Sequence, residues 1–373
     1  MLSPFSRPTI DDKAWQYLRE SLDSGDLAGD GPFTRRCHAW LEAHLGAPAL
    51  LTHSCTAALE MSALLAEVGP GDEVIMPSYT FVSTAIAFVM RGATPVFVDI
   101  RQDTLNLDEH LIGQALTERT RAIVPVHYAS VACEMDTILE IAKAKNLLVI
   151  EDAAQAHRAE YKGRLLGTFG ALGCFSFHVS KNVVSGEGGA LIINDKRFLE
   201  RAHIIREKGT NRTAFLNRKV DKYEWLDLGS SYLPSDLLAA LLLAQLEAGS
   251  TITARRLAVW RRYHEVFAAA ETAGLLRRPI VPSDCAINGH IYYVLLPDAA
   301  AAEKFRRTLL QAGIMALTHY VPLHSAPGGK RFGRTATPMP VTDRAAATLV
   351  RLPIDAEMTP EDAERIAHVA LGN

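Results

Sequence analysis

The sequence lacks the features that mark several specialised classes of protein. Its 373 residues include only five cysteines, at Cys37, Cys55, Cys133, Cys174 and Cys285, with no C-x-x-C pair and no nearby histidine at zinc-ligand spacing. These absences argue against a disulfide framework and a zinc site, so we expect reduced thiols and no bound metal. A formal net charge of only −3 also argues against the broad basic surface of a nucleic-acid-binding protein.

Long apolar runs are missing as well. No stretch reaches the roughly 18 apolar residues of a membrane-spanning helix, and the N-terminus has no basic segment followed by an apolar one. Internal repeats, low-complexity tracts and a helix-turn-helix module are also absent. We therefore expect a cytoplasmic protein that binds neither membrane nor nucleic acid and is long enough for two domains.

The sequence does contain an alternation of short apolar runs and helical periods. The apolar runs lie at 73–77, 94–99, 122–127, 147–152, 172–178 and 189–194, and helical spacing occupies 56–68, 80–92, 107–118 and 134–146. Near-continuous hydrophobicity is typical of strands buried on both faces. The alternation therefore predicts an α/β fold with a large, mostly parallel sheet and helices on both of its faces.

A long helical pattern at 235–274 ends this alternation. Beyond it come a strand-like run at 290–297 and helical segments near 299–312, at 342–350 and after Thr359. We predict a large domain over residues 1–245, including the N-terminal segment, and a smaller C-terminal α+β domain over 246–373.

Three positions near the ends of predicted strands carry suggestive chemistry, because ligands of open α/β sheets bind outside the carboxyl ends of the strands. Ser54 and Thr56 begin an apolar helix, whose free N–H groups would bind phosphate unless the hydroxyls simply cap the helix. Glu151 and Asp152 end a buried strand, where a carboxylate would meet a protonated ring nitrogen or cap the next helix. Lys181 is either an ordinary solvated cation or an amine with a lowered pKa.

Two further motifs need interpretation. His319, Tyr320 and His324 lie close together in the C-terminal part, where they suit substrate contacts or a structural role better than a metal site. The glycines of 167-GTFGALG-173 are spaced G-x-x-G-x-x-G and precede a strand. They do not predict a dinucleotide-binding loop, which needs G-x-G-x-x-G after a strand.

Longer motifs resemble those of one enzyme family. They are 29-GDGPFTRRC-37, 71-GDEVIMPSYTFVSTAIAF-88, 124-PVHYASVACEMD-136, 151-EDAAQ-155, 174-CFSFHVSKN-182, 186-GEGGA-190, 206-REKGTNR-212 and 319-HYVPLHSAPGGKRFG-333. The chain resembles the fold-type I pyridoxal-phosphate enzymes and, among them, the DegT/StrS-type (DegT/DnrJ) nucleotide-sugar aminotransferases. It is most similar to the subgroup that aminates carbon 4 of dTDP-4-oxo-6-deoxyglucose, as in enterobacterial common antigen synthesis.

The resemblance implies a role for each matching residue. Lys181 would bind pyridoxal 5′-phosphate covalently, Asp152 would hold the proton of the cofactor's ring nitrogen, and His178 would lie near the lysine. The other expected cofactor contacts are Gln155 at the ring hydroxyl, Phe81 stacked on the ring, and Thr56, Ala57 and Ser176 at the phosphate. The expected substrate contacts are His319, Tyr320, His324, Asn211 and Arg212.

The resemblance also implies substrates and partners. L-glutamate would convert the cofactor to pyridoxamine phosphate, and a dTDP-linked oxo-sugar would then take up the amine in a ping-pong reaction. A homodimer with shared active sites is expected. The family's usual asparagine, which reaches the neighbouring subunit's phosphate, is either replaced by Ser231 in 229-GSSYL-233 or absent. The loop after Lys181 is one residue shorter than in the subgroup. The glycines of 186-GEGGA-190 would let the backbone pass close beside the active site.

Other assignments stay open at this point. The alternatives are an enzyme that aminates carbon 3, an enzyme that uses another nucleotide carrier, and a cofactor-binding regulator. A dehydratase of the same fold would have histidine in place of Lys181, so Lys181 argues against that function. The gluco or galacto configuration of the product is not predicted. An excess of arginine over lysine, 28 to 11, hints at a GC-rich genome and so favours antibiotic-sugar synthesis over envelope glycans.

Overall fold

A computed structural model describes residues 5–372 of the chain. The helices are α1 Asp12–Ser24, α2 Pro32–Leu45, α3 Cys55–Leu65, α4 Ser83–Val89, α5 Ile112–Ala115, α6 Met135–Lys145, α7 Leu199–Arg206, α8 Arg212–Leu216, α9 Asp236–Val266, α10 Ala268–Thr272, α11 Ala299–Gln311, α12 Pro327–Phe332, α13 Pro340–Thr348 and α14 Pro360–Leu371. The strands are β1 Ala49–Thr52, β2 Glu73–Pro77, β3 Thr94–Val98, β4 Thr120–Ile123, β5 Leu148–Asp152, β6 Glu160–Tyr161, β7 Arg164–Leu165, β8 Leu172–Ser176, β9 Gly189–Ile193, β10 Cys285–Ala286, β11 Tyr292–Leu295, β12 Arg334–Thr335 and β13 Leu349–Leu352.

An eight-stranded sheet forms the centre of the molecule, in the order β1-β9-β8-β5-β4-β2-β3-β12. Every neighbouring pair in this sheet is parallel except those made by β9, which runs antiparallel to both β1 and β8. Separate clusters of buried apolar side chains lie on its two faces. The predicted α/β fold with a large, mostly parallel sheet is therefore confirmed.

The six apolar runs of the sequence all form strands of this sheet. Two other predictions differ from the structure. The segment predicted as a helix over 107–118 forms only a single 3-10 turn and the short α5. The helix predicted over 342–350 ends at Thr348, because Leu349–Leu352 pair with β11 as β13. Pairing with a distant strand competes successfully with local helical spacing at such a place.

The second half of the chain adds a smaller apolar core around the β11–β13 pair and the helices α9, α11 and α14. The predicted domain boundary at 245/246 lies inside α9, which continues across it without a break. One segment of the predicted C-terminal domain returns to the large sheet, since β12 pairs with β3. This return brings the C-terminal part close to the carboxyl ends of the strands.

Although the sequence has no uninterrupted apolar run of membrane-spanning length, the α9 helix is long and, on average, apolar enough to cross a membrane by length and composition. It nevertheless packs against α1, α2 and α14, and half of its most apolar window is buried. Its Asp236 carboxylate accepts hydrogen bonds from the backbone N–H groups of Phe33 and Thr34, at 3.0 and 2.7 Å. Since these groups begin α2, one buried acid ties the long helix to the N-terminal helices, and α9 is a core helix of this fold.

Candidate active site

A cavity of about 520 Å³ lies at the carboxyl ends of β5 and β8. One wall comes from the segments that follow the strands of the large sheet, and the opposite wall comes from the C-terminal part of the chain. We call these the sheet wall (Ser54–Thr56, Thr80–Ser83, Asp152–Gln155 and Ser176–Lys181) and the C-terminal wall (Arg256, His290, His319–Tyr320 and Arg351). Residues Phe5 and Ser6 lie at the same cavity.

The Asp152 carboxylate stands at the end of β5 and is 5% exposed. Its Oδ2 atom accepts a hydrogen bond of 2.7 Å from Oγ1 of Thr84, and Oδ1 accepts one of 3.1 Å from the Ala154 N–H. The Thr84 hydroxyl lies 2.8 Å from that of Thr80. These contacts fix the position of an acid at the floor of the cavity, where a buried carboxylate needs a cation or several donors.

The neighbouring Glu151 has a different environment. Its carboxylate is fully buried and accepts hydrogen bonds from the backbone N–H groups of Gly167, Phe169 and Gly170, at 2.6 to 2.8 Å. Consecutive side chains of a strand point to opposite faces, so Glu151 holds the glycine loop while Asp152 lines the cavity. The spacing of these glycines is therefore structural: a Cβ at Gly170 would lie 2.4 Å from the Val149 carbonyl oxygen.

Lys181 lies five residues beyond β8 and lines the cavity. Its backbone N–H donates to the His178 carbonyl over 2.9 Å, which turns the chain at this point. Burial lowers the pKa of Lys181, an effect that nearby Cys55 and Asp152 partly oppose and Arg351 reinforces. A lowered pKa increases the fraction of neutral amine, which is the form that acts as a nucleophile or base.

Hydroxyl groups gather where α3 begins. Ser54 caps the helix by accepting a 3.1 Å hydrogen bond from the Ala57 N–H, and the Thr56 hydroxyl lies 2.7 Å from that of Ser83. Strand β9 passes against this helix start at Gly189, where a Cβ would lie 2.4 Å from the Ser54 carbonyl carbon. The predicted close passage of the glycine-rich segment is thus confirmed, and it leaves backbone N–H groups of α3 beside the cavity for an anion.

The C-terminal wall is held by side-chain contacts. The rings of His319 and Tyr320 stack with their centroids 3.7 Å apart, and Nε2 of Gln155 donates to the Tyr320 hydroxyl over 2.9 Å. His319 Nε2 lies 2.8 Å from Nη1 of Arg351, and its Nδ1 lies 3.3 Å from the Tyr128 hydroxyl. Burial and the Arg351 charge lower the pKa of His319 to about 2, so the imidazole is neutral and Nε2 accepts from the guanidinium.

The model of the DegT/DnrJ/EryC1/StrS aminotransferase family matches residues 8–370. The chain belongs to this family. It is 34% identical to the spore coat polysaccharide biosynthesis protein SpsC of Bacillus subtilis, over 97% of this chain and 95% of that protein. Its fold matches the aminotransferase TlmJ of Streptoalloteichus hindustanus, at 30% identity and a TM-score of 0.90 over 100% and 99% of the two chains.

Spr1654 of Streptococcus pneumoniae, described as a proposed sugar aminotransferase, has been solved with pyridoxal phosphate. It matches at 26% identity and a TM-score of 0.90, over 100% of this chain and 99% of that one. The same protein has also been solved in its pyridoxamine phosphate form. By its family and these structural matches, the 373-residue chain is a sugar aminotransferase of fold type I that depends on pyridoxal phosphate.

The cavity residues fit that cofactor. A buried carboxylate at Asp152 suits a protonated ring nitrogen, and an amine with a lowered pKa at Lys181 suits an aldehyde. The start of α3, with the Thr56 and Ser83 hydroxyls, suits a phosphate. The cavity volume of about 520 Å³ lies within the usual range for small-molecule sites, about 300–1,000 Å³.

Most of the predicted site residues line this cavity. They are Thr56, Phe81, Asp152, Gln155, Ser176, His178, Lys181, His319 and Tyr320. Ala57 is buried next to them, and its N–H already donates to Ser54. Phe81 remains 61% exposed in the single chain although it borders the cavity.

Four other predicted residues lie outside the cavity of their own chain. Asn211 bonds to the backbone of Lys222 and Glu224, whereas Arg212 pairs with Glu207 at 2.9 Å. The His324 Nδ1 atom lies 2.8 Å from the Ser78 hydroxyl. Ser231 is exposed and forms a β-bridge with Glu207. Their predicted contacts with cofactor or substrate would require a second chain or a rearrangement.

Several cavity residues were not predicted from the sequence. Ser83 lines the cavity, and the neighbouring Thr84 donates to the Asp152 carboxylate. Both follow β2 within the same motif as Phe81, so the strand-end rule could have found them. Arg256, His290 and Arg351 carry no such signal. Arg256 comes from the interior of α9, His290 from the loop before β11, and Arg351 from β13, just beyond the segment 342–350 that was predicted as helix. Only the approach of distant segments brings them to the site.

Proposed function

We propose that this chain transfers an amino group from L-glutamate to carbon 4 of dTDP-4-oxo-6-deoxy-D-glucose, giving a dTDP-4-amino-4,6-dideoxyhexose. The observation that carries the chemistry is the cavity shared by Lys181, whose pKa is lowered, and the fixed Asp152 carboxylate. The choice of carbon 4 and of the dTDP carrier rests on the motifs that resemble the carbon 4 subgroup.

Each group on the sheet wall has a task in this proposal. Bound pyridoxal phosphate supplies an electron-withdrawing ring. Asp152 would keep the ring nitrogen protonated, and the Thr84 hydroxyl and the Ala154 N–H, which donate to its oxygens, hold the carboxylate in place. Lys181 would hold the cofactor covalently, and its amine, once displaced by the amino donor, would move a proton from the donor's α carbon to the C4′ carbon of the cofactor. The start of α3 would bind the phosphate.

The C-terminal wall is proposed to receive the sugar. His319 and Tyr320 form a stacked pair in the same cavity as Lys181, and the Gln155 amide orients the Tyr320 hydroxyl. Burial raises the pKa of that hydroxyl, so it stays protonated and can donate a hydrogen bond to a sugar oxygen.

We also propose that the enzyme is a homodimer with shared active sites. The segment from 215 to 228 exposes many large apolar side chains, and Trp225 is 80% exposed. They are Phe215, Leu216, Val220, Tyr223, Trp225, Leu226 and Leu228. An exposed apolar patch of this kind marks an interaction surface. Asn211 and Arg212 directly precede this segment, so a second chain could receive them at its site.

The dimer can be tested by light scattering. The double variant Trp225→Ser/Leu226→Ser should weaken association and lower activity, whereas Leu275→Ser, an exposed apolar control outside this segment, should change neither. A wild-type enzyme that is fully active as a monomer would refute the shared site.

Incubation of the holoenzyme with L-glutamate and dTDP-4-oxo-6-deoxyglucose tests the reaction itself. NMR of the product should show an amine at carbon 4, and the ring proton couplings would assign its gluco or galacto configuration. Parallel incubations with the 3-oxo isomer and with a UDP-linked 4-oxo sugar provide the controls. Faster amination of either control would overturn the assigned position or carrier.

A further inference from the structure

His290 belongs to the C-terminal wall but is bonded to the sheet wall. It lies in the loop before β11, is 5% exposed and lines the cavity. Its Nδ1 atom lies 2.9 Å from Oδ1 of Asn182, the residue that follows Lys181 in the chain. Its backbone N–H donates to Oδ1 of Asn288 over 2.9 Å. Two buried amide side chains therefore hold this histidine, one at its ring and one at its backbone.

Backbone carbonyl groups fix the orientation of both amides. Nδ2 of Asn182 donates to the carbonyl oxygen of Asn288 over 2.8 Å. Nδ2 of Asn288 donates to the carbonyl oxygens of Gln155 and His157, each over 2.9 Å. A carbonyl oxygen can only accept a hydrogen bond, so each amide must turn its nitrogen towards the carbonyls and its oxygen towards His290.

This orientation decides which nitrogen of His290 carries the proton. Because the Asn182 oxygen can only accept, Nδ1 of His290 must be the donor. Burial, reinforced by the charges of Lys181, Arg256 and Arg351, lowers the pKa of this imidazole well below its usual value, so the ring is neutral. A neutral imidazole has a single N–H group, and Nε2 of His290 therefore keeps a free lone pair.

The Nε2 atom of His290 is an available acceptor. No group among residues 5–372 donates a hydrogen bond to it. It is also not sealed inside the protein, in contrast to both nitrogens of His157, which are buried away from solvent and from any partner in that range. An accessible acceptor on a residue that lines the cavity is free to bind a donor on a ligand.

We propose that Nε2 of His290 accepts a hydrogen bond from a hydroxyl group of the sugar substrate. This inference rests on the proposed amination of a sugar nucleotide. Asn182 and Asn288 act as positioning residues, because they fix the tautomer of the imidazole and its place in the cavity that also holds Lys181.

Other ligand groups fit this acceptor less well. Carboxylates and phosphate diesters carry no proton at neutral pH, so they cannot donate to a lone pair. An ammonium group would be repelled by the guanidinium groups of Arg256 and Arg351, which line the same cavity. A hydroxyl group offers a proton without a charge. L-glutamate has no alcohol group, whereas the proposed oxo-sugar has hydroxyls at carbons 2 and 3.

A pair of variants separates the two ring nitrogens. In His290→Asn, the amide N–H can take the place of Nδ1–H and keep the bond to Asn182, but nothing replaces Nε2. In His290→Gln, whose side chain is one carbon longer, the amide oxygen can reach the place of Nε2 and keep the acceptor. The exposed His110, substituted as His110→Asn, provides the control. Melting curves would verify that all variants fold.

Stopped-flow absorbance of the holoenzyme would follow each half-reaction. In a ping-pong reaction, kcat/KM for each substrate reports only the half-reaction of that substrate. We expect His290→Asn to lower kcat/KM for the sugar nucleotide about 10-fold and that for L-glutamate less than about twofold, because one hydrogen bond to the sugar is lost. His290→Gln should lie within about threefold of the wild type, and His110→Asn should change neither value.

Sugar nucleotides that lack one hydroxyl identify the group that is bound. The probes are dTDP-4-oxo-2,6-dideoxyglucose, without the hydroxyl at carbon 2, and dTDP-4-oxo-3,6-dideoxyglucose, without that at carbon 3. The analogue that lacks the bound hydroxyl should react equally fast with the wild type and with His290→Asn. The other analogue should keep the difference of about 10-fold, as expected when a contact and its loss are compared in a cycle.

Nitrogen NMR of histidine-labelled apoenzyme checks the tautomer without the cofactor. The signals that disappear in His290→Asn belong to this residue. We expect a protonated Nδ1 and an unprotonated Nε2 between pH 6 and 8, and a shift of the Nε2 signal when dTDP-4-oxo-6-deoxyglucose is added. A protonated Nε2 would contradict the proposal.

Equal losses for both substrates in His290→Asn would overturn the inference, because they indicate a contact with Lys181 or a structural role. A loss that persists with both deoxy analogues would exclude a hydroxyl contact, and unchanged kinetics would remove the subsite altogether. A wild type that reacts with L-glutamate but not with the sugar nucleotide would refute the proposed function. The response of the Nε2 signal to that sugar nucleotide would then still decide the contact, and an unchanged signal would refute it.

Discussion

The two walls of the active-site cavity are built in different ways. On the sheet wall, Asp152 and Lys181 are placed by the ends of parallel strands, and Asp152 is fixed by a neighbouring hydroxyl and a backbone N–H. On the C-terminal wall, Arg351 stands on β13, which pairs with β11. His319 and Tyr320 lie in a loop and are placed largely by side-chain contacts with Arg351, Tyr128 and Gln155. The sheet wall therefore forms with the large sheet itself, whereas the C-terminal wall depends on how the C-terminal part docks against it.

This difference suggests that the sheet wall binds the cofactor and the C-terminal wall recognises the substrates. A strand end holds a side chain through the whole hydrogen-bonded sheet, which suits the groups that bind and activate a cofactor. A network of side chains can change with few consequences for the fold, which suits the recognition of substrates. Substitutions on the sheet wall should therefore affect both half-reactions, and substitutions on the C-terminal wall should affect them separately.

The largest effect is expected for Lys181→Ala. Removing the amine should abolish transamination, with a loss of at least about 10⁴-fold, because both the covalent attachment and the proton transfer are lost. The cofactor should still bind non-covalently, as its absorbance after gel filtration would report. Lys145→Ala, at the end of α6, serves as the control. Retained turnover in Lys181→Ala would rule out its assigned role.

The adjacent acids Asp152 and Glu151 should separate activity from stability. Asp152→Asn should lower both half-reactions about 10²- to 10⁴-fold, because a neutral side chain no longer holds the proton on the ring nitrogen. Glu151→Gln should instead destabilise the apoprotein by about 2–4 kcal/mol, since the buried N–H groups of the 167–170 loop lose a charged acceptor. Half-reaction rates and denaturant unfolding measure the two effects. The opposite pattern would contradict the assignment of one acid to the site and the other to the loop.

The smallest predicted effect concerns pH. Burial lowers the pKa of His319 to about 2 and that of His290 well below its usual value, so the folded protein binds fewer protons than the unfolded chain below pH 6.5. Stability from these groups is complete above their unfolded pKa of about 6.5 and falls as the pH drops below it.

His319→Asn should reduce this acid sensitivity by about 2 kcal/mol at pH 5, whereas a variant of the exposed His110 should not. Melting temperatures of the two variants and the wild type between pH 5 and 8 would measure the difference. Identical pH profiles would show that His319 is not held neutral by the C-terminal wall.

Much of the sheet wall could be predicted from the sequence. Strands such as Leu148–Asp152 and Leu172–Ser176 are visible as continuous apolar runs. Ligands of open α/β sheets bind outside the carboxyl ends of the strands, so the positions of Asp152 and Lys181 could be singled out. The family motifs then supplied the chemistry. The substrate contacts expected of Asn211 and Arg212 and the phosphate contact expected of Ser231 stay predictions, since these residues lie outside the cavity of their own chain.

By itself, the sequence determined the α/β sheet, the strand ends and the amine and acid that stand there, because burial and strand periodicity are properties of neighbouring residues. The strand-end pattern alone did not distinguish Asp152 from Glu151; the family motifs favoured Asp152, and the tertiary structure places it at the cavity and Glu151 at the glycine loop. Only the tertiary structure brings Arg351 against His319. The first choice depends on which face of β5 meets the cavity, and the second on the docking of β13 against β11. Both depend on contacts between segments far apart in the chain, and such contacts cannot be predicted from a local sequence pattern.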